Sequence, residues 1–89
     1  MEPFYANLPP ELAQDVEQRA RLLYDLRGAR DEVLARLGAG DADQALACLR
    51  RGELPEHPAY DDILSARILA DLHAQVRSDL ATLLADSQR

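Results

Sequence analysis

"GAGDADQALACLRRGELPEH", residues 38–57, joins two long apolar-periodic segments, and its reading decides how those segments meet. As helices, each flanking segment spans roughly 40 Å at 1.5 Å per residue. A parallel arrangement would force this connector to return the whole length almost fully stretched, so an antiparallel hairpin is expected. The connector also carries an element of its own. Asp41 can cap a helix with Gln44 three residues on, the spacing of a capping box, and Gly52 can close it. Ala42, Ala45, Leu46 and Leu49 give that short helix, residues 41–51, a narrow apolar side too small for an independent unit. Residues 52–57 are then a shaped link. Pro55 prevents the short helix from resuming, and Pro58 sits where the missing N–H of a first turn costs nothing.

Working outward, the segment before the connector reads as one helix over 9–37, preceded by an arm at 1–8. Prolines occupy its first turn, and Gly38 and Gly40 follow its end. At about 100° per residue, Leu12, Val16, Ala20, Leu23, Leu26, Val33, Leu34 and Leu37 form its core stripe. Gly28 falls on the opposite side and marks a candidate bend. The segment after the connector reads as a helix over 58–86, with Asp61 and Asp62 near the positive end of its dipole. Leu64, Ile68, Leu69, Leu72, Val76, Leu80, Leu83 and Leu84 form its expected core stripe. The fold class is therefore all-α: an antiparallel hairpin of two long helices with a short helix at the connection, three helices in one domain over 1–89.

Composition narrows the function. The chain has 89 residues, ten Arg and no Lys against sixteen Asp plus Glu, and a formal net charge of −6. Such a surface repels phosphate backbones and anionic lipid, so neither nucleic acid nor membrane is an expected partner. The amino-terminal "MEPFYANLPP" has neither a basic start nor an apolar run, and a single Cys excludes an internal disulfide framework. The expected compartment is the cytoplasm, and Cys48 reads as a small apolar helix residue. Absence of Lys beside abundant Ala, Arg, Leu and Asp fits a GC-rich bacterial coding sequence.

No segment carries a convincing reaction centre. Glu53, Glu56, His57 and Asp61 crowd the link, but zinc sites ordinarily draw at least two His or Cys ligands at a recognisable spacing. His73, on the last helix, raises a phosphocarrier reading, yet no Lys and small residue follow it to admit a phosphoryl group. No metal, cofactor or catalysis is expected. The residues that stand out are suited to contact with another protein. Arg19, Arg27 and Arg30 fall in or beside the apolar stripe of the first helix, where each must pair, snorkel or face a partner. Asp15 and Asp31, four residues away from Arg19 and Arg27, offer local pairing. Phe4 and Tyr5 precede the first helix and either fold back or anchor a partner, and Leu54 and Tyr60 can cover the end of the core.

In helix layout, size and acidity the chain resembles small bacterial export chaperones of flagellar and type III secretion systems, which implies work by protein–protein interaction. The expected function is an adaptor or chaperone-like binding module. Alternatives are an antitoxin-like or anti-activator protein that masks a basic surface and, last, a His phosphocarrier. The expected partner is another protein or a second copy, the copy favoured because two thin hairpins would close into a four-helix bundle.

Overall fold

A computed structural model describes residues 8–87. They form three helices, α1 (Pro10–Leu37), α2 (Ala42–Arg50) and α3 (Glu56–Ser87), with no strand among the described residues. Residues 1–7 of the arm, Phe4 and Tyr5 among them, lie outside the described residues.

Local chemistry accounts for each boundary. Pro9 and Pro10 open α1 without a side-chain cap, and the Ala13 amide donates to the Pro9 carbonyl at 2.8 Å. Gly38, at φ 65°, closes it: the Gly38 amide bonds the Ala35 carbonyl and the Ala39 amide bonds Leu34, the double bond of a Schellman turn. Gly52, at φ 74°, ends α2 in the same way, with Gly52 bonding Leu49 and Glu53 bonding Cys48. At the start of α2 the Asp41 carboxylate accepts from the Gln44 amide at 2.7 Å, while the Gln44 side chain accepts from the Gly40 amide at 2.6 Å. The reciprocal cap expected from the sequence is present, displaced by one residue on the Gln44 arm. Gly40 does not adopt a left-handed conformation; a Cβ there would instead press on the Gln44 oxygen at 3.0 Å. In α3, His57 is extended (φ −107°, ψ 127°) ahead of Pro58, to which it is joined by a cis peptide bond, so regular helix runs from Pro58 onward.

The expected hairpin is observed, and its register can be counted. Arg36 meets Asp62 at 3.1 Å, while Arg19 and Leu22 line one shallow depression together with Val76 and Asp79. Moving fourteen to seventeen residues back along α1 thus moves fourteen to seventeen forward along α3, which is antiparallel packing. The molecule measures 53 × 22 × 19 Å, about two helix diameters in each transverse direction. α2 fills the corner at the closed end, tied to α3 by Arg67 and Asp43 at 2.8 Å.

Inward positions on α1 fall at Leu12, Val16, Arg19, Leu23, Leu26, Arg30, Val33 and Leu37, alternating four and three apart, and every one is buried or half-buried. This is the seam spacing of two helices wound around each other. Two points of the expected α1 stripe change. Ala20 is exposed, and α1 continues through Gly28 without a break, its Cα facing open space.

The larger correction concerns α3. Its inward stripe is Ala59, Ile63, Ala66, Ala70, His73, Val76, Leu80 and Leu83, again at fours and threes. Leu64, Ile68 and Leu72, expected in the core, are exposed instead. The reason is geometric. An unbroken series at i, i+4 drifts by about 40° per step around a helix of 3.6 residues per turn. The row that faces α1 at Leu80 has therefore turned roughly 160° away by Leu64. The alanines take the inward places, and the short side chains of Ala45, Ala59 and Ala66, all buried, let three helices converge closely.

Candidate partner-binding surface

The inward turn of the α3 alanines leaves a row of large apolar side chains on the outer face of the helix. Tyr60, Leu64, Ile68 and Leu72 stand in one i, i+4 row and are 50, 42, 59 and 47% exposed. From first to last the row spans twelve residue rises, about 18 Å of helix axis. Full side-chain areas near 200 Å² make this roughly 400 Å² of apolar surface, the size of patch that is often functional on a monomer. The row runs on to half-buried Val76, beside which stands the exposed Leu22 of α1.

Each end of the row is flanked by acid, and Arg67 stands beside its middle. Asp61 follows Tyr60 and Asp71 precedes Leu72, so one exposed carboxylate flanks each end, on opposite margins of the row. Neither takes part in the ion pairs formed among the described residues. The nearest arginine on α3, Arg67, donates from Nη2 to Asp43 at 2.8 Å and is thereby directed toward α2.

The other sequence-derived candidates are scattered. Arg19 is half-buried at a seam position, and its guanidinium donates to the Asp15 backbone carbonyl at 3.4 Å, not to the carboxylate anticipated from their spacing. Arg27, expected near the stripe, points to solvent with its side chain 70% exposed, 4.0 Å from Asp31. Arg30 shares that carboxylate at 3.5 Å and is more enclosed than Arg27, its side chain 29% exposed. It adjoins Ala66 and Ala70, whose short side chains leave it room, and its Nε is buried without a hydrogen bond. Leu54 packs on the core at the closed end. Tyr60, expected to cover that core, belongs to the outward row. Of the seven residues singled out from the sequence, only Tyr60 stands in the row, while Leu64, Ile68 and Leu72 were missed as surface. The signal for them was available: α3 carries a second set of apolar residues behind the four-three series.

The link holds one tight polar cluster. Arg51 grips Glu53 through Nε and Nη2 at 2.9 and 3.1 Å and donates to Cys48 Sγ at 3.4 Å. The hydrogen bond from Arg51, then one from the Cys48 thiol, then the Arg51 charge hold the Glu53 carboxyl below its ordinary range. This cluster pins the turn after α2. Among the described residues no group of three His, Cys, Asp or Glu is placed to hold a metal ion, and none of their helices is long and apolar enough to cross a membrane. His73 shares the inward face with Ala66 and Ala70 and is half-buried, and His57 stands exposed at the head of α3.

No family, curated protein or solved structure matches the chain at a significant level.

Proposed function

We propose that this protein is a non-catalytic, adaptor or chaperone-like binding module that works in the cytoplasm and docks a helical segment on the outward row of α3. One observation carries the reading. A helix whose inward face is already occupied spends four large apolar side chains, Tyr60, Leu64, Ile68 and Leu72, on a contiguous solvent-facing row. Evenly spaced i, i+4 side chains form the ridge that another helix receives between its own ridges, and helix-in-groove recognition uses anchors of this spacing. Chaperone-like work would follow if the docked segment is one that aggregates when free. A regulator that masks a basic surface is the second reading, favoured by the two carboxylates flanking the row, and it would use the same side chains.

The test is co-purification from the native host with Ile68→Asp beside the wild type. Ile68 is exposed, so the variant should keep its helical circular dichroism and its Tm within a few degrees. Loss of a protein that the wild type retains supports the reading. Equal retention of every bound protein by a folded Ile68→Asp variant places the docking surface elsewhere.

A further inference from the structure

We infer that the occupant of the α3 row is a cationic amphipathic helix of another protein, with Lys or Arg flanking its apolar face. This rests on the docking reading above and adds the chemistry of the partner. Two nearer occupants fit the geometry less well. The centre of the row, at Leu64 and Ile68, is level in the counted register with residues 30–34 of α1, at least about 30 Å from Pro10 along the helix axis. Phe4 lies six residues before Pro10, and six residues span only about 21 Å when fully stretched. A covalent stretch of that length is shorter than the distance to the centre.

A second copy can reach it, but with the wrong charge. Pairing row to row about a twofold axis would bring Asp61 and Asp71 of both copies into one interface, with no unpaired cation on the row to meet them. Two chains of net charge −6 would be pressed together. A cationic helix reverses both terms. Its apolar anchors meet Tyr60, Leu64, Ile68 and Leu72, its cations reach the carboxylates on opposite margins, and the acidic chain attracts it from a distance. Four side chains are a small contact, at the low end of interface sizes, so the complex should be transient.

The test uses two fluorescein-labelled, eighteen-residue helical peptides with the same leucine face, one flanked by Lys and Arg and one by Glu, read by fluorescence polarisation against the full chain. The basic peptide should bind in the micromolar range and weaken between 50 and 300 mM salt, as screening predicts. The acidic peptide should bind at least tenfold more weakly. Asp61→Asn and Asp71→Asn should each weaken the basic peptide about two- to fivefold, the range for an exposed ion pair, and Ile68→Asp should abolish its binding. Equal affinity for the two peptides would overturn the charge inference and leave the docking surface standing. Absence of binding by either would overturn the inference for this row. Light scattering that finds a dimer which Ile68→Asp dissociates would overturn it in favour of a second copy.

Discussion

At the closed end of the hairpin α1 and α3 have a third neighbour in α2, whereas at the open end they have only each other. Burial follows that difference. Val33, Leu34, Leu37, Ala45, Ala59, Ile63 and Ala66 gather in one buried cluster beside the connector, joined by half-buried Leu46, Leu49, Leu54 and Leu69. Toward the termini only Val16 is buried among the described residues, and Leu12, Leu23, Leu26, Leu80, Leu83 and Leu84 stay half-exposed along the seam. Leucines are as frequent at the open end as at the closed one, so composition is not the cause. A pair of helices covers a stripe on each, and a further body is needed to cover its flanks.

The largest test of this contrast is Ile63→Ala. Ile63 is 3% exposed where three helices meet, so the truncation should cost about 2–5 kcal/mol and lower Tm by roughly 10 °C or more in a domain of this size. Leu80→Ala, half-buried at the open end, should cost about 1–2 kcal/mol, because part of its surface is already in water. Urea unfolding of the two variants side by side would break the comparison if Leu80→Ala proved as damaging as Ile63→Ala. Hydrogen exchange should agree, with α3 amides slowest around 63–66 and faster toward 84.

The cap of α2 offers a smaller effect that sharpens the role of the third body. Asp41→Ala removes the bond to the Gln44 amide and should cost about 1 kcal/mol, whereas Asp41→Asn, which can still accept that bond, should cost little. A loss well above that from Asp41→Ala would mean that α2 detaches as a unit.

The smallest expected effect lies in the turn after α2. Glu53 has its folded pKa lowered by Arg51 and Cys48, so its contribution is present above the unfolded carboxyl value, near 4.5, and is lost as pH falls through the folded value. Glu53→Gln should therefore lower the urea midpoint slightly at pH 7 and leave it unchanged near pH 2. Because the pair is exposed, the difference at pH 7 should be small. A variant that shifts the midpoint equally at both pH values would assign Glu53 a role unrelated to its charge.

Much of the fold was legible because its signals are local. Gly38 and Gly52 close their helices through the left-handed conformation, Asp41 and Gln44 cap a helix by direct bonds, and Pro58 places the start of α3. Each of these is settled within a few residues. The seam of α1 was nearly legible too, apart from Ala20, and Arg19 and Arg30 were rightly placed on it. The outward row of α3 was not. From the sequence, Leu64, Ile68 and Leu72 compete with Ala59, Ala66 and Ala70 for the inward face of α3, and residue size favours the wrong set.

What the sequence determined by itself is the number of helices, their ends and their antiparallel order, since capping bonds, proline, glycine and connector length act over short spans. Only the tertiary structure decided which side of α3 turns inward. The choice depends on three helices approaching at one place, where Ala45, Ala59 and Ala66 fit between the backbones and larger side chains would hold them apart. Once that fit turns the alanines in, Tyr60, Leu64, Ile68 and Leu72 face water, because one helix cannot present both its sides to the same neighbours.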